Sequence, residues 1–124
     1  MSSALSQRPG LLSTNVVDDP LVNVTFQADV APGGGAGVIY SVQINNTANA
    51  AQDVYLKLFN HAGPTVGTTA ADMLLKGPAG TTKTYSIPQG IAFAVGITYA
   101  CVTTADTAGV TSPPNAVSVI MQIS

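Results

Sequence analysis

Apolar and polar residues alternate with a period of two over most of the chain, the pattern of strands that bury one face. After Pro20, Val22, Val24, Phe26 and Ala28 fall on one side and Asn23, Thr25, Gln27 and Asp29 on the other, which predicts a half-buried strand over 22–29. Ala31-Pro32-Gly33-Gly34-Gly35-Ala36-Gly37 ends it in a flexible turn. A second strand is predicted over 38–45, with Tyr40, Val42 and Ile44 inward and Ser41, Gln43 and Asn45 outward. In a third, over 53–60, Val54, Leu56 and Leu58 share one face, while Tyr55, Lys57 and Phe59 leave the other face partly apolar. Met73-Leu74-Leu75 lies too close to Gly77-Pro78 for a stable helix and reads as a short strand. A fifth strand over 82–87 directs Tyr85 and Ile87 inward and ends at Pro88-Gln89-Gly90, with a short extended piece at 91–93. The 97–104 segment is apolar on both faces and is expected to be a central strand. The last strand, 116–123, places Val117, Val119, Met121 and Ile123 inward.

Short strands separated by Gly/Pro turns, with no helical periodicity, predict an all-β fold: a two-sheet β-sandwich of immunoglobulin-like or jelly-roll type. The expected core includes Val24, Phe26, Val42, Ile44, Leu56, Leu58, Tyr99, Val117 and Val119. Strand pairing order is not legible from alternation. The sandwich domain is assigned to residues 20–124. Residues 1–19 form a separate segment without periodicity, punctuated by Pro9-Gly10 and Asp18-Asp19-Pro20. Its apolar residues Leu5, Leu11, Leu12, Val16 and Val17 favour an extended N-terminal arm that docks on a neighbouring subunit over a free tail, because disordered tails are poor in such side chains.

Composition narrows the function classes. The chain has 124 residues, a length that suits one domain. Only 8% are charged, against about 25% in average globular proteins. The acidic residues are all Asp, and Glu and Trp are absent. With a net charge of −2 and scattered lysines there is no basic stripe, which argues against a nucleic-acid partner. No apolar run approaches the ~20 residues of a membrane helix, so no membrane partner is expected. The first residues lack a basic stretch followed by a long apolar one, so no signal peptide is read and synthesis in the cytoplasm is expected. A hydropathic chain so poor in charge is suited to hiding surface against other subunits.

The reactive residue types are few and dispersed. A single Cys excludes an internal disulfide or a cysteine-based zinc site, and a single His excludes a histidine pair. His61 sits at a strand end and Asp53 at the start of the same strand, too far apart to work as a pair, and no Gly-x-Ser-x-Gly elbow exists. Cys101 lies in the most apolar strand and reads as a small hydrophobe. The Asp residues make neither a calcium loop nor a facing carboxylate pair. Asn23-Val24-Thr25 and Asn45-Asn46-Thr47 match the glycosylation sequon, which without a secretion signal reads as accidental. The aromatics Tyr40, Tyr55, Phe59, Tyr85, Phe93 and Tyr99 could include a sugar platform, but core packing explains them more simply. No catalytic residue, cofactor or metal is expected.

The stretch from Val54 to about Asp106 carries a resemblance. It reads Val-Tyr-Leu-Lys-Leu-Phe-Asn at 54–60, Gly-Pro-Thr-Val-Gly-Thr-Thr at 63–69 and Gly-Ile-Ala-Phe-Ala-Val-Gly-Ile-Thr-Tyr-Ala-Cys-Val-Thr at 90–103. This resembles small β-rich virion structural proteins of tailed bacteriophages. The resemblance implies a non-enzymatic component of the particle, foremost a capsid decoration or cement protein. Such a protein would sit on the capsid surface, bind the major capsid protein or other virion subunits, and form a homo-oligomer, a trimer above all. A tail or baseplate sandwich, or a host-adhesion module binding carbohydrate, is the alternative.

Overall fold

A computed structural model of the chain describes residues 15–25 and 35–124. These form seven strands and no helix: β1 (Asn15–Val22), β2 (Gly37–Asn45), β3 (Val54–Phe59), β4 (Met73–Gly77), β5 (Thr82–Phe93), β6 (Thr98–Val102) and β7 (Val117–Ile123). They make two antiparallel sheets, a four-stranded one in the order β1-β7-β2-β5 and a three-stranded one in the order β4-β3-β6. Only β3 and β4 are neighbours both in sequence and in a sheet. The links β2–β3, β4–β5, β5–β6 and β6–β7 pass between sheets, so the two layers are laced together along the chain.

One core joins both layers. Ile39, Val42 and Ile44 from β2, together with Val117, Val119, Met121 and Ile123 from β7, face Val54, Leu56 and Leu58 from β3 and Tyr99 and Cys101 from β6. Each buried aliphatic side chain contributes roughly 1.5–3 kcal/mol, and the period-2 pattern puts them on facing surfaces. Strand β7, between β1 and β2, alternates buried and accessible residues along its whole length.

Four details depart from the sequence expectation. The first described strand does not begin at residue 22. It is β1, which ends at Val22; Val24 lies in a bend and is half-buried, and Phe26 and Ala28 lie outside the described residues. The boundary drawn between residues 19 and 20 therefore runs through a strand. Asn15 to Asp19 pair with β7 of the same chain. Asp18-Asp19-Pro20 punctuates a segment without periodicity, but β1 is an edge strand, and an edge tolerates proline because its outward N–H has no ladder partner to lose. The pairing shifts between Asp19 and Val22 to accommodate it.

The second departure is Tyr40. Ile39 pairs with Ile123 and Ser41 with Gln122, so Tyr40 is one residue too many for β7 and forms a bulge. The inward positions of β2 are consequently Ile39, Val42 and Ile44, and Tyr40 is half-buried. Third, Pro88-Gln89-Gly90 does not end β5. The residues 87–90 bulge out opposite Tyr40 and the strand resumes at Ile91. Gly90 has φ +76°, and a Cβ there would meet Val38 Cγ1 at 2.5 Å and Tyr40 Cε1 at 2.9 Å, so only glycine closes this bulge. β5 is the other edge of its sheet, again the place where proline is tolerated.

Fourth, β6 is an edge strand, with β3 in the middle of its sheet. All five β6 residues are nevertheless buried. Its free edge is covered by the chain leaving β1, where the Cys101 N–H donates to the Asn23 carbonyl at 2.8 Å. Double-sided apolarity thus reported cover on both faces and said nothing of position in the sheet.

Candidate functional site

The outer face of the β4-β3-β6 sheet is roofed. Tyr55, Lys57 and Phe59 project away from the core, as do Thr98, Ala100 and Val102 opposite them, yet Lys57, Phe59, Thr98, Ala100 and Val102 are all buried. Over Lys57 the cover comes from the 103–112 loop, whose Thr107 and Gly109 carbonyls bond its ammonium, and that loop in turn touches the 61–69 loop: a Cβ on Gly67 would fall 2.5 Å from Val110 Cγ1. Lys57 is 1% exposed. Its Nζ donates to the carbonyls of Thr107 at 3.2 Å and Gly109 at 3.0 Å. Burial pushes the lysine below its usual range, and the charge of Asp106 opposes that shift.

A polar knot ties three loops at one end of the sandwich. Asn46, fully buried, donates through Nδ2 to the carbonyls of Gln52 at 2.8 Å, Gly77 at 3.0 Å and Pro78 at 3.3 Å. Its Oδ1 accepts from Asn49 Nδ2 at 2.9 Å. Asn49 in turn donates to the Asn115 carbonyl at 3.1 Å and accepts from the Asn115 N–H at 2.8 Å. The β2–β3, β4–β5 and β6–β7 loops are so held together by amides that find their partners inside the protein. A shallow depression of ≈ 400 Å³ beside the knot is lined by Ala48, Asn49, Ala50, Ala51, Gln52, Pro114 and Asn115. It contains no ionisable group, hydroxyl or thiol, so it offers no nucleophile, acid or base.

The residues singled out in the sequence are dispersed. His61 is exposed, and its Nδ1 accepts the Gly63 N–H at 2.8 Å. At the opposite end of β3, Asp53 accepts the Ala79 N–H at 2.9 Å and faces Lys76 Nζ at 3.4 Å. Cys101 is buried, and burial pushes its thiol up to about 12. Asp18 and Asp19 lie on β1, where Asp19 Oδ2 accepts from the Tyr99 hydroxyl at 2.8 Å. Burial and this bond both raise the Tyr99 phenol above its usual value. Among the described residues no cluster of three His, Cys, Asp or Glu side chains is placed to hold a metal ion, and no helix is long and apolar enough to cross a membrane. No described aromatic residue is exposed.

Of the arm residues, Leu5, Leu11 and Leu12 lie outside the described residues. Val16 and Val17 are in β1, Val17 packed against the core and Val16 63% exposed on the outer face of the four-stranded sheet. That outer face is unusual for its lack of charge. Ser41 and Gln43 of β2 pair with Ser86 and Thr84 of β5 and with Gln122 and Ile120 of β7, and Asp18, opposite Ile120, is the one charged residue among these outward positions.

The buried asparagines and the buried lysine were missed from sequence. The stretch 45–50 has the composition of a turn, and turn composition does not distinguish a solvated amide from one that knots loops. Lys57 carried a faint signal, a lone cation between Tyr55 and Phe59 on one strand face. The described residues form an all-β fold of two laced antiparallel sheets, in which His61 and Asp53 lie at opposite ends of β3 and Cys101 is buried in β6. Comparison with protein-family models, curated proteins and solved structures gives no match to this chain.

Proposed function

We propose that this protein is a non-enzymatic structural subunit of a virus particle, a decoration or cement protein that binds the capsid surface and stabilises the shell. The observation that carries the proposal is the charge-poor outer face of the β1-β7-β2-β5 sheet, where Asp18 is the one charged residue among the paired outward positions and β1 with its exposed Val16 forms one edge. A sheet face of hydroxyl and amide side chains with Val16 and Ile120 among them is built for close, shape-matched contact with another protein rather than for charge steering. The resemblance to phage virion proteins adds support, since the residues carrying it build β3, β6 and the end of β5. Leu5, Leu11 and Leu12, upstream of β1, supply apolar anchors to a neighbouring subunit. Bridging subunits raises the free energy needed to separate them by mass action, and a trimer about a local threefold axis is the assembly proposed. The sandwich is taken as immunoglobulin-like, which is supported by β2 beside β5 in one sheet and β3 beside β6 in the other. β4 and β7 depart from that scheme, β4 by lying beside β3 rather than β5 and β7 by lying between β1 and β2.

Copy number on purified particles tests the location. Hundreds of copies bound with little salt dependence support decoration, whereas a few dozen or fewer support the alternative, a tail or baseplate sandwich. The host-adhesion alternative finds less support, because carbohydrate platforms use exposed aromatic rings and no described aromatic is exposed. Deleting residues 2–14, which leaves β1 intact, should preserve the fold and lower particle occupancy. Full occupancy after that deletion would exclude the arm as an anchor.

A further inference from the structure

We propose that Lys57 is a latch: its ammonium holds the 103–112 loop as a strap over the outer face of the β4-β3-β6 sheet, and the strap opens and closes as a unit without unfolding the sandwich. This stands independently of the capsid assignment.

The strap is a compact turn. The Gly109 N–H donates to the Asp106 carbonyl at 3.1 Å, and a Cβ on Gly109 would collide with the side chain and carbonyl of Thr104. This tightness turns the carbonyls of Thr107 and Gly109 toward the sheet, where both accept from Lys57 Nζ. The other attachments are few. Thr103 N–H donates to the Thr111 carbonyl at 3.0 Å within the strap itself, Val24 N–H reaches Ser112 Oγ at 3.4 Å, and Val110 touches the neighbouring loop at Gly67. Residues 104–108 are exposed throughout. Beneath, Ala100 and Val102 are fully buried although they point away from the core.

Lysine is the informative choice at this position. An apolar side chain of similar length would fill the same space with no polar obligation. An ammonium must be paired when buried, and its two carbonyl partners both belong to the strap. Lys76–Asp53 is the ion pair among the described residues, so no carboxylate holds Lys57 directly. The latch is therefore tight only while the strap is closed. When the strap lifts, the ammonium and both carbonyls regain water, so opening exposes little unsatisfied polarity. An apolar side chain at this position would leave the Thr107 and Gly109 carbonyls unpaired in the closed strap and so favour opening. Local opening of a poorly anchored segment below the free energy of global unfolding is the expected behaviour of such an element.

The test uses the intact chain. In the unmodified protein, acylation of Lys57 with a water-soluble acetyl ester is followed by mass spectrometry beside exposed Lys83, with alkylation of Cys101 as the reporter of global unfolding. The latch predicts that Lys57 reacts more slowly than Lys83 but well before Cys101. In Lys57→Met, the protection of the Thr103 and Gly109 amides against hydrogen exchange, taken as a ratio to the β7 amides, should fall about ten-fold or more, the equivalent of one lost charge-assisted hydrogen bond. Lys83→Met should leave that ratio unchanged. Lys57 becoming reactive only together with Cys101 would overturn the proposal, as would an unaltered ratio in Lys57→Met. If Lys57→Met does not fold, the labelling order in the unmodified protein decides.

Discussion

Replacing Asn46 separates an amide chosen for its donors from one that merely fills space. Asn46→Ala removes three donated bonds and one accepted bond from a fully buried side chain. The carbonyls of Gln52 and Pro78 lie in part-buried bonds and can recover water, whereas the bond to the Gly77 carbonyl is buried and so is the one from Asn49. Leaving two buried groups unpaired costs about 1–3 kcal/mol each, part of it offset by relaxation, so the net loss is about 2–4 kcal/mol. At roughly 3–5 °C per kcal/mol for a domain of this size, the melting temperature should fall by roughly 6–20 °C. Asn46→Asp keeps the shape but sets a second oxygen against three carbonyl oxygens, so at neutral pH it should be less stable than Asn46→Ala. Its deficit should shrink as the pH falls and the buried carboxyl takes up a proton. Urea and thermal unfolding of the two variants at pH 7 and pH 5 give the comparison. Asn46→Asp matching or exceeding Asn46→Ala at pH 7 would refute the assignment of Nδ2 as the knot's donor. A loss below about 0.5 kcal/mol in Asn46→Ala, the size of an ordinary surface change, would refute the knot itself.

Gly77→Ala should destabilise by about 1–3 kcal/mol, because the added Cβ would lie 2.8 Å from Ile44 Cγ2 and 2.9 Å from Val54 Cγ2, both on buried β-branched side chains; denaturant midpoints read it. Tyr99→Phe should cost about 1–2 kcal/mol by removing the hydroxyl that Asp19 accepts, and hydrogen exchange should show the loss concentrated in β1. The Ala79 N–H and then Lys76 hold the Asp53 carboxyl below its usual 3.8. Its contribution is therefore fully present above that value and is lost as the pH falls below it toward the depressed folded value; Asp53→Asn should flatten the acid limb of a stability–pH curve in that window. Cys101, its thiol pushed up to about 12, should resist alkylation in the native protein at pH 8 and react only at the rate of unfolding.

Little of the candidate site was legible. His61, Asp53 and Cys101 were visible as residue types, and sequence distance alone separated His61 from Asp53. The Asn46–Asn49–Asn115 knot joins residues from three loops, and no local pattern signals that a turn amide faces inward. Lys57 alternates correctly with its neighbours, so its strand was evident, but its burial depends on a loop about fifty residues further along that returns across the sheet.

Alternation alone determined that the chain is all-β, where most strands lie and which residues of β3, β5 and β7 face the core, because a pleated strand presents successive side chains to opposite faces whatever it pairs with. Tertiary structure decided the rest. Pairing with β7 made a strand of the Asp18-Asp19-Pro20 stretch, since an edge position removes the penalty that local composition would otherwise impose. The bulge at Tyr40 was set by its partners, because an extra residue is extra only relative to the strand beside it. The covering of β6 and of the outer face around Lys57 came from segments remote in sequence. Burial on a second face depends on what returns to cover it, and that is a property of the assembled chain rather than of any window along it.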